Sequence, residues 1–231
     1  MNLEKVFQSD HYMRHTQRRQ EHLATLGLPL DQKTVLEVGA GIGDHTSFFR
    51  DRGCGVVTTD AKPDNFTYMR ERFKTDSNIQ VQLLDVLVQH YEFMDNPFDI
   101  VYCYGLLYHL DFPEMALHIL SGYCTGLLLL ETQVSAASVY EIKSTQDSKS
   151  DPSGSLDNVG CLPSRKWAMV ALKRYFPYVY MTVTQPWHEE FPIDWTVPSE
   201  NPISRAVFVA SRKKLEYSTL SSEVRSFQER C

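Results

Sequence analysis

The chain has 231 residues, 42% of them hydrophobic and 23% charged, enough to bury a core without disulfides or metals and too apolar for a disordered polymer. It is too short for two full-sized domains, so a single domain over 1–231 is expected. A formal charge of −6 argues against a concentrated basic face of the kind that grips a phosphate backbone, which ranks a small-molecule partner ahead of nucleic acid.

Residues 1–30 read as a polar, partly helical arm. The N-terminus holds no apolar run of signal-peptide length. After a turn at Pro29-Leu30-Asp31, Val35 to Val38 reads as a short buried strand, Thr46 to Arg52 as helix, Gly55 to Thr59 as strand and Asn65 to Lys74 as helix. Ile79 to Leu84 is a third strand, Phe98 to Cys103 a fourth, Pro113 to Tyr123 a helix and Gly126 to Glu131 a fifth strand. Its core, Leu127 to Leu130, is the most hydrophobic run of the chain and far too short to span a bilayer. Strands alternating with helices at this spacing imply an α/β sandwich, with a parallel sheet covered on both faces.

Two later stretches break the rhythm. Lys143 to Gly160 carries five serines with Asp147, Asp151, Pro152, Gly154 and Asp157, the composition of a long loop leading to a helix over Trp167 to Phe176. Tyr178 to Val183 and Arg205 to Ala210 read as an antiparallel pair closing the sheet, separated by a proline-rich insertion over 185–202. Residues 212–231 read as a polar tail, helical or frayed. The five cysteines have neither metal-knuckle nor redox-pair spacing, so free thiols in a reducing cytoplasm are expected.

The informative motif is Glu37-Val38-Gly39-Ala40-Gly41-Ile42-Gly43, between the first strand and the first helix. Glycines there let the backbone turn tightly and approach a ligand. The dinucleotide fingerprint G-x-G-x-x-G needs its third glycine one position later. An acidic residue two before the first glycine suits a cationic ligand better than a pyrophosphate. Asp60 ends the second strand, placed to bind ribose hydroxyls, and Asp85 ends the third. Three acidic residues thus meet at the carboxyl edge of the sheet, where open α/β sheets bind ligands.

These residues resemble the class I S-adenosylmethionine-dependent methyltransferases over roughly Thr34 to Glu131. The resemblance implies a Rossmann-like, seven-stranded sheet in the order 3-2-1-4-5-7-6 and S-adenosyl-L-methionine as cofactor. Glu37, Gly39, Ala40, Gly41 and Gly43 would then form its motif I along the methionine moiety. Asp60 with Ala61 would serve the ribose and Asp85 with Val86 the adenine. Cys103 and Tyr104 would stand behind the fourth strand at the methionine end. Cys103-Tyr104-Gly105-Leu106-Leu107-Tyr108-His109-Leu110 looks like the corresponding segment of bacterial small-molecule methyltransferases. It is also similar to that of a longer tRNA wobble-uridine carboxymethyltransferase.

The expected chemistry is in-line methyl transfer to an O or N atom of a small acceptor, driven mainly by alignment, with a base where the acceptor must lose a proton. His109 is the preferred base because an ordinary imidazole titrates near neutrality. Glu131, at the end of an apolar strand, is the second candidate, with binding of the acceptor's amine or pairing to Arg165 as the alternatives. Tyr12, Tyr108, Arg165, Trp167 and Trp187 are candidate acceptor contacts; for Arg165 and Trp167 the plain alternative is a helix capped by Ser164. No metal centre is expected. His11 and His15 are one helical turn apart, but a solvated basic face explains the arm, and His188-Glu189-Glu190 is not H-E-x-x-H. A tRNA-modifying enzyme, a nicotinamide oxidoreductase and a non-catalytic scaffold are the competing readings.

Overall fold

The computed structural model describes residues 3–88, 96–148, 150–199 and 201–231. Positions 1–2 of the expected arm, 149 of the serine-rich stretch and 200 of the insertion lie outside them. The arm forms α1 (Leu3–Phe7) and α2 (Asp10–Thr25). Ser9 caps α2, its hydroxyl accepting the Tyr12 N–H at 3.3 Å, which satisfies one of the free donors of the first turn.

Next come β1 (Thr34–Val38), α3 (Thr46–Arg50), β2 (Gly55–Asp60), α4 (Pro63–Arg72), β3 (Ile79–Leu83), β4 (Phe98–Tyr104), α5 (Pro113–Gly122) and β5 (Cys124–Gln133). Then follow β6 (Ile142–Gln146), β7 (Val159–Pro163), α6 (Arg165–Lys173), β8 (Tyr178–Thr182), β9 (Thr184–Gln185), β10 (Arg205–Ser211), β11 (Leu220–Ser221) and β12 (Glu229–Arg230). The main sheet has eight strands in the order β11-β8-β10-β5-β4-β1-β2-β3. β10 runs antiparallel to both β5 and β8. This is the expected order, with β10 and β8 as its seventh and sixth strands and β11 added at the edge.

The alternation of side chains along central strands decides what covers each face. Leu36, Val101, Leu128 and Leu130 point to a core shared with Leu117 and Leu120 of α5 and Ala168 and Leu172 of α6. Val35, Ile100, Leu127 and Leu129 point to the other face, against Leu23 of α2, Phe49 of α3 and Met69 of α4. Strands buried on both faces read as unbroken apolar runs, which explains Leu127 to Leu130.

Two expectations are corrected. The serine-rich stretch is not one loop: β6 and β7 pair antiparallel from Ile142↔Pro163 to Gln146↔Val159, and only the tip between them keeps loop character. The tail is neither helical nor frayed. It returns along the molecule, adding β11 beside β8 and pairing β12 with β9. Among the described residues, no helix is long and apolar enough to cross a membrane, and all five cysteines are free.

Candidate active site

A cleft of about 860 Å³ opens at the carboxyl ends of β1 to β5, roofed by α1, α2 and the tip of the β6–β7 hairpin. The turn after β1 forms its floor. Gly39 (φ +68°) and Gly41 (φ +61°) occupy the left-handed region, and a Cβ on Gly41 would lie 2.7 Å from the Phe7 ring. Glycine is required there by both backbone and space. The Gly41 N–H donates to Asp60 at 2.8 Å. The other Asp60 oxygen accepts from the Lys62 N–H at 2.9 Å and from Asn65 Nδ2 at 3.1 Å. Burial raises the Asp60 pKa, and these three donors work against that rise.

Asp60, Ala61, Asp85 and Val86 line the same end of the cleft. The hairpin tip covers it: Lys62 Nζ donates to the Asp151 carbonyl and Asn65 Nδ2 to the Pro152 carbonyl at 3.2 Å. Beneath the glycine turn a recess of about 20 Å³ is lined by Glu37, Gly39, Ala40, His45 and Tyr104. Glu37 accepts from the Thr46 hydroxyl at 2.6 Å. Burial pushes its carboxyl up to about 7, against the pull of Thr46 and Thr58. His45 Nε2 and Tyr104 Oη are buried there without hydrogen-bond partners in the structure.

The opposite end of the cleft carries charge and imidazole. His109 ends a short 3₁₀ turn, Leu107–His109, and its Nδ1 donates to the Asp147 carboxylate from the hairpin. Burial opposes ionisation of Asp147, but His109 and the N–H groups of Ser148 and Ser155 outweigh it, so its pKa falls. His109 Nε2 is buried with no hydrogen-bond partner in a residue that lines the cleft. The Tyr108 ring lies tilted by 40° against that of His109, with centroids 3.9 Å apart. Its hydroxyl accepts from Arg205 Nη2 at 3.2 Å.

Behind these groups, Glu131 accepts from Arg19 at 3.1 Å and from Arg205 at 3.0 Å, one guanidinium per carboxylate oxygen. Arg205 also donates from Nε to Glu190 at 2.6 Å. All four side chains are buried, and the two charges of each sign cancel, as buried ions require.

The cleft lies over a glycine turn with three acidic residues at the neighbouring strand ends. Residues 35–121 match the family model described as a methyltransferase domain. That stretch of the chain is similar to a methyltransferase domain. The fold is shared with the N-terminal domain of EvdMO1 in the presence of SAH and D-fucose, at 20% identity and TM-score 0.65, covering 89% of this chain and 85% of that one. Against the whole EvdMO1 chain the coverage is 41%. The glycopeptide N-methyltransferase MtfA complexed with S-adenosyl-L-methionine is similar at 16% identity and TM-score 0.55, over 84% of this chain and 86% of that one. A putative S-adenosylmethionine dependent methyltransferase from Listeria monocytogenes is 11% identical with TM-score 0.60, covering 86% and 99%. No curated protein matches the chain in sequence.

Within this fold the candidate residues separate. Tyr12, Gly39, Gly41, Asp60, Ala61, Asp85 and Val86 line the main cleft, as do Tyr104, Tyr108 and His109, while Glu37 and Ala40 line the recess. Gly43 is turned against Phe73, and Cys103 is fully buried in the core. Glu131 is not placed as a base: it has no exposed surface and both oxygens are held by arginines, neither of them Arg165. Arg165 is buried, stacked over the Trp195 ring at 4.0 Å, with burial pulling its pKa down to about 10. Trp167 packs in the core, its N–H donated to the Ser164 cap at 3.1 Å. Trp187 is 63% exposed and away from the cleft. The solvated arm is also corrected, since His15, Arg19 and His22 are buried.

Around the cleft stand residues that the sequence pattern did not single out. Arg19 carried only the mark of a charge on a helix, and Asp147 that of a loop acid. Arg205 opens an apolar strand with no motif around it.

Proposed function

We propose that the chain transfers a methyl group from S-adenosyl-L-methionine to a hydroxyl oxygen of a small polar acceptor, with His109 as general base and Asp147 as its positioning residue. The observation that carries this is the His109–Asp147 pair, which leaves a buried, unpartnered Nε2 on a residue that lines the cleft. Donation from Nδ1 to the carboxylate leaves the lone pair on Nε2, the arrangement a base needs.

The cleft fits the cofactor. Its volume lies in the range of small-molecule sites. Asp60 and Asp85 face the nucleoside end, and the recess holds Glu37 with two unpartnered polar atoms, His45 Nε2 and Tyr104 Oη. When bound, the cofactor supplies an electrophilic methyl group on a sulfonium. The roles of the protein are to align the acceptor, to keep water out beneath the arm and hairpin, and to receive the acceptor proton on His109 Nε2. Such alignment supplies most of the acceleration.

The D-fucose named with EvdMO1 supports a hydroxyl acceptor. MtfA, an N-methyltransferase, keeps an amine as the second reading, and the same base would serve it. We expect S-adenosylhomocysteine to bind wild type in calorimetry and to bind Asp60→Ala at least about tenfold more weakly, since charge-assisted hydrogen bonds are lost. Equal binding to both, or binding to neither, would remove the cofactor reading. Labelled methyl transfer to sugars, phenols and amines then separates the acceptor classes.

A further inference from the structure

We propose that His15, His188 and Glu190 bind a divalent transition-metal ion of the zinc class at the outer wall of the cleft, with His11 and Glu189 completing the site from its exposed side. The inference does not depend on the methyl-transfer reading. Helix α2 sets His11 and His15 one turn apart, and the chain after β9 lays His188-Glu189-Glu190 against them. The His15 and His188 rings are 4.9 Å apart between centroids, and those of His11 and His188 5.3 Å. His11 Nε2 lies 3.1 Å from one Glu190 oxygen and His15 Nε2 3.6 Å from the other. His188 Nε2 lies 3.7 Å from Glu189.

Two sets of three potential ligands result, His15–His188–Glu190 and His11–His188–Glu189, and within each the ligand atoms all lie within 4.8 Å of one another. Ligands about 2.0–2.2 Å from a tetrahedral ion stand roughly 3.4 Å apart, so side-chain rotations of about an ångström close either set. The second observation is burial. His15 Nε2 and His188 Nε2 are both buried without a hydrogen-bond partner in the structure, a costly state for a polar atom that a metal bond relieves. The Glu190 N–H donates to His188 Nδ1 at a long 3.2 Å, so capture through Nε2 moves the ring proton to Nδ1 and gives up that weak bond.

The surroundings choose the ion. Glu189 is paired with Arg14 and Glu190 with Arg205, so the site is not the electronegative oxygen cage that calcium or magnesium needs. Imidazoles with a carboxylate in a charge-balanced setting suit zinc, cobalt or nickel. Arg205, bonded to one Glu190 oxygen, holds that carboxylate as outer partners of ligands do. His11, His15 and Glu190 also line the cleft, so an ion held there would border it.

The test is titration of the chelator-treated full chain with Co²⁺, read by visible absorption, followed by displacement with Zn²⁺. One equivalent bound with low-symmetry d–d bands is expected. Substitutions H15Q and H188Q should each weaken binding at least about tenfold, while H118Q on α5 leaves it unchanged. Where a buried substitution prevents folding, H11A serves, since that side chain is 58% exposed; severalfold weakening is expected with the circular dichroism spectrum retained. Wild type that binds no stoichiometric Co²⁺, or binding unaltered by these substitutions, overturns the proposal. S-adenosylhomocysteine calorimetry on the same samples reports the cofactor site separately.

Discussion

His109 and Asp147 stand 38 positions apart in the chain and share a hydrogen bond at one end of the cleft, from the ring Nδ1 to a carboxylate oxygen. One lies on a turn after β4 and the other on the hairpin tip, so the pair exists only when the hairpin is seated on the sheet edge.

Asp147→Asn should therefore lower turnover with little change in acceptor KM. General bases contribute about 10²–10⁴-fold, and loss of the orienting carboxylate should remove on the order of 10² of it. His109→Gln should remove the whole contribution. Steady-state rates against pH check this; an unchanged acidic limb in His109→Gln would sink the assignment.

Glu131→Gln tests the ion-pair cluster. Removing one partner from a buried pair costs about 3–5 kcal/mol, so the urea midpoint should fall sharply. A near-normal midpoint combined with an altered pH–rate profile would restore Glu131 as a base.

Glu37 predicts proton linkage. Burial raises its pKa to about 7, so below pH 7 the free protein holds this proton. A cationic cofactor beside it favours the carboxylate and expels the proton. Affinity should rise with pH up to about 7 and level off above it. Calorimetry in buffers of different ionisation enthalpy should show proton release at pH 6 that vanishes by pH 8, and Glu37→Gln should abolish it.

Gly41→Ala places a Cβ at φ +61° and 2.7 Å from Phe7. Left-handed backbone costs a non-glycine residue about 1–2 kcal/mol, and the steric conflict adds to it. A lower melting temperature and weakened S-adenosylhomocysteine binding should appear together.

What the sequence made legible was local. The five leading strands, the glycine turn and the acidic strand ends are set by period and by neighbours a few residues away. The order of the last two long strands followed from resemblance. What stayed hidden joins distant segments: Arg19 to Glu131 across 112 positions, Arg205 to Glu131 across 74. A buried charge leaves no periodic trace of its partner, so Glu131 read as a base or a partner of Arg165, and Arg19 as a solvated charge. The hairpin was hidden because the polar composition of its tip masked the short paired strands on either side.

The hairpin tip has one more consequence. Asp151 and Pro152 hold it to Lys62 and Asn65 beside Asp60, while the Ser155 N–H donates to the Asp147 carboxylate. Displacing the tip would draw Asp147 away from His109 as well, so on the proposed mechanism cofactor exchange and deprotonation of the base would be coupled.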